Sequence, residues 1–244
     1  MSLTRTFATA GRVLRQLSHD PRSIALLLLA PSLLVGLFAW LMSDQQGAFD
    51  QFGGPILALF PFILMFVITS VTTLRERRSG TLERLMTTPL GKGDFIVGYA
   101  LAFGLVATVQ AILTVTFAVL VCGLETAGPV WQLGIVAVLD ALLGTGLGLL
   151  ASAFARTEFQ AVQFMPVVVF PQILLGGMLM PRDKMPDALY AISDWLPLSY
   201  AVDAVNAVMS GDEGWTLGGP LLVIGAVTVV ALGLAALTLR RRTP

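Results

Sequence analysis

The chain has 244 residues, 56% of them hydrophobic and only 12% charged, with zero net charge and a mean hydropathy of +0.83. A soluble domain carries about 25% charged residues, so water is the wrong solvent for this much apolar surface, and an all-α polytopic membrane protein is expected instead. A lone Cys122 and a lone His19 exclude an intrachain disulfide and a cysteine metal site, and leave zinc, haem and Ser-His-Asp chemistry without parts.

Residues 1–23 precede the first apolar run. Leu3, Phe7, Ala10, Leu14 and Leu17 recur at steps of four, three, four and three, with Arg5, Arg12 and Arg15 off that stripe. This spacing predicts an amphipathic helix lying flat at the membrane interface, the alternative being a helix packed on a protein surface. The apolar run at 24–42 is longer than the h-region of a signal peptide and lacks an A-x-A site, so it is read as a retained span.

Six runs of about the length that crosses a hydrocarbon core follow in order: 24–42, 52–74, 95–124, 130–154, 161–181 and 215–239. Several contain proline, which membrane helices tolerate when neighbours satisfy the freed backbone groups. Thirteen of the fifteen basic residues fall in the segments that six spans place on one side; only Arg182 and Lys184 fall on the other. The positive-inside rule then puts both termini in the cytoplasm. The whole chain reads as one membrane domain, 1–244.

Between spans two and three lies a charged island, LRERRSGTLERLMTTPLGKGD over 74–94. It predicts a short helix with Gly80 as N-cap and Glu83 at its third position, stopped by Pro89, Gly91 and Gly93. Leu82, Leu85 and Met86 share one face of it. Two turns do not persist alone in water, so this helix needs a surface to seat on; the plain alternative is a solvated basic loop.

Asp140 sits near the middle of span four, where a charged carboxylate costs about 2.5–3.5 kcal/mol on insertion scales. It is either a substrate or ion contact or a hydrogen-bonding group facing a neighbouring helix. Gly144 and Gly148 follow at i+4 and i+8 and form a G-x-x-x-G face for close helix packing.

After span five, GGMLMPRDKMPDALYAISDWLPLSYAVDAVNAVMSG at 176–211 is too polar to span and too apolar for a free loop. Met185, Leu189, Ile192 and Leu196 form one stripe; Pro181, Pro186 and Pro197 divide the segment; Tyr190, Trp195 and Tyr200 are residues of the kind that line membrane interfaces. Short re-entrant-like half-helices near the outer surface are expected, or an amphipathic loop lying on the membrane.

No G-x-x-x-x-G-K-[ST] motif occurs, and the glycines at 144–148 lie within a span. There is no basic-aromatic surface for nucleic acid and no evident internal repeat. No catalytic, cofactor-binding or metal-ligating set is expected.

Two stretches resemble the permease subunits of ABC-2 type exporters, near the daunorubicin-resistance and multidrug branch. One is Glu76, Arg77, Arg78, Ser79, Gly80, Thr81, Leu82 and Glu83 with Thr88 and Pro89; the other runs from Gly176 to Asp203 with Pro186, Leu196, Pro197 and Tyr200. Asn206 departs from the basic residue common at that place. The resemblance implies a transmembrane permease, not itself an enzyme, in the inner (plasma) membrane of a bacterium, as a homodimer with two cytosolic ATPase subunits that hold ATP and Mg. Glu76, Gly80, Thr81, Leu82, Glu83, Leu85 and Met86 would form the ATPase-coupling helix; Pro181, Pro186, Trp195, Pro197 and Tyr200 would belong to the outer gate. A channel or scaffold without ATP coupling, and an intramembrane enzyme, are the other readings.

Overall fold

The computed structural model describes residues 2–44, 47–79 and 91–238. Nine α-helices are found there: α1 (Leu3–Ser18), α2 (Pro21–Leu41), α3 (Ala48–Arg78), α4 (Lys92–Leu120), α5 (Val130–Ala151), α6 (Glu158–Leu175), α7 (Asp187–Ser193), α8 (Pro197–Ser210) and α9 (Trp215–Thr238), with a 3-10 turn at Arg182–Lys184. There is no strand among the described residues. Six helices, α2 to α6 and α9, are long and apolar enough to cross a membrane, as the six runs predict, and the protein is a multi-pass membrane protein.

The ends of the helices shift from the expected bounds for local reasons. α3 continues past residue 74 to Arg78 because nothing in LRERR breaks a helix. The fifth span stops at Leu175 rather than 181: Gly176 and Gly177 follow it, and Gly177 takes the left-handed φ of +86°. The fourth span ends at Ala151, not 154. The short helix expected over the island falls on residues 80–90, outside the described residues.

α5 is the centre of the bundle and packs against α3, α4 and α9. The glycine face explains why. A Cβ at Gly144 would lie 2.5 Å from the carbonyl oxygen of Phe62, and one at Gly148 would lie 2.5 Å from that of Phe66. Only glycine lets the two backbones come this close. Phe62, Leu143, Val169, Val202 and Ile224, from five different helices, meet in the main core. A second core at the island end joins Val13, Leu27, Met65, Phe95, Tyr99 and Phe103.

α1 serves two surfaces at once. Thr6, Thr9, Ala10 and Val13 are buried against α4, where a Cβ on Gly98 would meet the Thr9 side chain at 2.7 Å. Leu3 and Phe7, the leading residues of the apolar stripe, remain 78% and 64% exposed. The packed face overlaps the predicted stripe at Ala10, with Leu14 and Leu17 partly buried on the second core, and adds Thr6, Thr9 and Val13, whose small size permits the close approach.

The bundle has two distinct ends. At one lie α1, the end of α3, the start of α4 and the start of α6. At the other the 121–129 segment meets α8: the Gly128 N–H donates to the Val208 carbonyl at 2.9 Å and the Ala127 N–H to that of Met209 at 3.1 Å. All four tryptophans (Trp40, Trp131, Trp195 and Trp215) are exposed and belong to segments at this second end, in keeping with an interfacial aromatic belt.

Candidate functional site

At the island end, Arg12 of α1 donates from Nη1 and Nη2 to the two carboxylate oxygens of Glu76 at 3.0 and 3.1 Å, and from Nη2 to the Tyr99 hydroxyl at 2.8 Å. Glu76 is only 4% exposed. Such a two-pronged pair fixes orientation as well as distance. Tyr99 is itself packed on Phe95, ring centroids 4.3 Å apart. α1 is thus fastened to the last turn of α3 and the second turn of α4 through one guanidinium.

A second fastening lies at the start of α4. Asp94, the third residue of that helix, accepts from the Gly91 N–H at 3.1 Å and so satisfies an orphan donor of the helix start. Its other oxygen accepts from the Ser2 N–H at 2.8 Å and the Thr6 hydroxyl at 3.4 Å. The two chain segments that border residues 80–90 are therefore both held by α1. A third bond, Arg75 to Glu158 at 2.8 and 2.9 Å, joins α3 to the start of α6. Its side chains are 63% and 47% exposed, so water screens it to at most about 1 kcal/mol.

Of the residues assigned to coupling by resemblance, Glu76 belongs to α3, with its carboxylate turned inward onto Arg12. Gly80, Thr81, Leu82, Glu83, Leu85 and Met86 lie outside the described residues. Sequence reasoning did not find Arg12, Tyr99 or Asp94 as partners; they are far apart in the chain and carry no local pattern.

In the bundle, Asp140 is fully buried on α5, one turn before Gly144, and neither carboxylate oxygen has a hydrogen-bond partner among the described residues. The hydrogen bond to a neighbouring helix, one of the two readings of this residue, is not found among the described residues. Elsewhere polar groups bridge helices: the Gln110 side-chain amide donates to the Leu27 carbonyl at 2.8 Å and joins α4 to α2.

At the far end, α7 and α8 are the two short helices between spans five and six. α8 is deeply buried through Leu198, Ser199, Ala201, Val202, Ala204, Val205, Ala207 and Val208. Its start is capped from α6, whose Gln172 accepts from the Leu198 N–H at 2.9 Å. Pro197 is its first residue, where a missing N–H does no harm. α7 is exposed, and Leu189 and Ile192 of the predicted stripe face away from the bundle. Of the assigned gate residues, Pro181 and Pro186 are exposed immediately before the 3-10 turn and α7, and Trp195 is 88% exposed. Tyr200 alone is drawn into a cluster: its hydroxyl donates to the Asp194 carbonyl at 2.9 Å and its ring lies 5.3 Å from the Arg182 guanidinium carbon.

Arg182 is the centre of that cluster, bonding Asp194 and Asp203 through separate nitrogens. Burial works against its charge, and Asp203 and then Asp194 more than restore it, so its pKa stands above the ordinary value. Burial pushes the Asp203 carboxyl up, with Arg182 pulling it back. A signal for this residue was visible, since only Arg182 and Lys184 break the charge sorting. Among the described residues no group of three His, Cys, Asp or Glu side chains could hold a metal.

The sequence model of the ABC-2 type transporter family matches residues 4–210. "Probable multidrug ABC transporter permease YbhR" of Escherichia coli is 30% identical over 191 residues, covering 77% of this chain and 51% of that protein. "Probable multidrug ABC transporter permease YbhS" of the same organism is 26% identical, covering 72% and 47%. "Linearmycin resistance permease protein LnrN" of Bacillus subtilis is 28% identical, covering 72% and 48%. The chain spans about half the length of these curated relatives.

Proposed function

The chain belongs to the ABC-2 type transporter family, and from that premise we propose that it is the membrane permease of an exporter driven by separate cytosolic ATPase subunits. Two copies of this chain and two ATPases form the working unit in a bacterial inner membrane. ATP and Mg are held by the ATPases, and this chain performs no hydrolysis. Cargo is amphipathic or hydrophobic, drug-like or lipid-like, and enters sideways from the inner leaflet; the multidrug and linearmycin-resistance names of the relatives point the same way.

The observation that carries the proposal is the double fastening of α1. Arg12 on Glu76 and Asp94 on Ser2 and Thr6 grip the chain on both sides of residues 80–90. A peg that receives force from a motor needs rigid footings at both of its ends, and a mere solvated loop does not. Gly80, Thr81, Leu82, Glu83, Leu85 and Met86 form the peg in this reading. α1 transfers its displacement into α3 and α4 together, and the segment with Pro181, Pro186, Trp195, Pro197 and Tyr200 closes the exit.

The test is co-purification with an ATPase encoded beside this gene. Leu82→Asp combined with Glu83→Lys abolishes co-purification while membrane insertion and helix content stay unchanged. Undiminished co-purification of that variant removes the coupling role, and transport by the purified chain alone removes the exporter reading.

A further inference from the structure

The Arg182 cluster at the far end of the bundle is larger than an ordinary surface ion pair. The loop after α6, the turn between α7 and α8, and α8 itself each contribute to it. Arg182 comes from the 3-10 turn, Asp194 from the residue that ends α7, and Asp203 from the middle of α8. The side chain of Arg182 is only 9% exposed. Tyr190 of α7 and Tyr200 of α8 each hold their rings 5.3 Å from its guanidinium carbon. A planar cation meets this set through its two terminal nitrogens, one to each carboxylate, while its Nε finds no partner among the described residues; a lysine ammonium is a point charge without that fork or that flat face.

The rest of the cap is unevenly anchored. α8 is held by the core and by Gln172 of α6. α7 buries only Ser193, whose hydroxyl donates to the Leu175 carbonyl at 2.6 Å. Seven residues with one buried side chain do not hold a helix in place by packing. Two hydroxyl contacts join α7 to α8 directly, Tyr200 on the Asp194 carbonyl at 2.9 Å and Ser193 with Ser199 at 3.2 Å; the charged and ring contacts that join them all pass through Arg182.

We propose that Arg182 is the positioning residue of the cap between spans five and six, clamping the exposed helix α7 onto the buried helix α8 so that the two move as one body. The proposal goes beyond the set of gate residues given above. Its structural part stands on this chain alone, and its gating part rests on the exporter reading. With the clamp closed, α7 follows α8 when the bundle rearranges. With the clamp gone, α7 drifts and the exit no longer closes in step with the motor.

The experiment has two arms, both on the full chain in lipid nanodiscs. In the first, amide hydrogen exchange is followed in the wild type, Arg182→Ala, Arg182→Lys and Asp203→Asn. Exchange over residues 187–196 accelerates about tenfold in Arg182→Ala, and less in Arg182→Lys and Asp203→Asn, while α5 is unaffected. If Arg182→Ala does not fold, the Lys and Asn variants carry the test; unchanged exchange in the variants that fold overturns the clamp. In the second arm the chain is assembled with its ATPase, and basal and cargo-stimulated ATP turnover are compared. Arg182→Ala keeps basal turnover and loses the stimulation. Faster exchange with full stimulation overturns the gating part. A wild-type complex that shows no stimulation by any amphipathic cargo overturns the exporter reading and, with it, the gating part, leaving the exchange result standing.

Discussion

Arg12 holds both carboxylate oxygens of Glu76, at 3.0 and 3.1 Å, across 64 residues of chain. Glu76 is buried and Arg12 is partly open to water, so the two partners are not equivalent. Arg12→Leu leaves a buried carboxylate with its donor fork gone and destabilises the chain by about 1–3 kcal/mol. Removing both side chains, as in Arg12→Leu with Glu76→Leu, is milder than removing Arg12 alone. Thermal melting in detergent across the double-mutant cycle checks this; additive losses would show that the pair is not coupled.

The glycine contacts separate a close approach from mere helix composition. Gly148→Ala places a methyl group 2.5 Å from the Phe66 carbonyl oxygen and destabilises by about 1–3 kcal/mol. Gly134, on the same helix, has no atom within 4 Å of a built Cβ, so Gly134→Ala is neutral or better. A chain that melts at the same temperature with either substitution would contradict the α3–α5 contact.

Asp140 bears its burial without a partner among the described residues. Asp140→Leu therefore folds and melts at or above the wild-type temperature. Lower stability would mean that the carboxyl has a partner that matters to the fold. Transport is measured alongside: normal expression with lost transport assigns the residue to the cargo path.

Cys122 reports on orientation. It lies just beyond the end of α4, at the end of the bundle with the tryptophans, and burial raises its thiol pKa. The thiolate is the reacting form, so labelling by a membrane-impermeant maleimide is slow at neutral pH and rises with pH beyond the range of a free cysteine. Labelling proceeds from outside intact cells. Labelling only after the cytoplasmic face is opened would reverse the topology drawn from the basic residues.

Much of this fold was legible because the bilayer reduces a span to a length and a composition. Six apolar runs became six helices, and the Gly144–Gly148 spacing marked the face that meets α3. What stayed hidden depends on distance in sequence or on side-chain size. Arg12 finds Glu76 and Tyr99 only once three helices are assembled. Of the stripe on α1, Ala10, Leu14 and Leu17 pack on the bundle while Leu3 and Phe7 stay exposed; Thr6, Thr9 and Val13 complete the packed face, because the close approach at Gly98 admits small neighbours. Trp195 and Tyr200 looked alike as aromatic residues of one segment; the tryptophan is exposed, while the tyrosine joins Arg182.

α3 has one further consequence. Its 31 residues make a rod about 46 Å long at 1.5 Å per residue, well beyond a hydrocarbon core of about 30 Å. Both of its prolines, Pro55 and Pro61, fall in the half away from the island. Proline removes a helical hydrogen bond and is where such a rod bends. From Phe62 to Arg78 the shaft has no such joint, so under the proposed coupling a sideways push at its basic tip is carried undamped through just over half of its course and is turned into a bend only at Pro61.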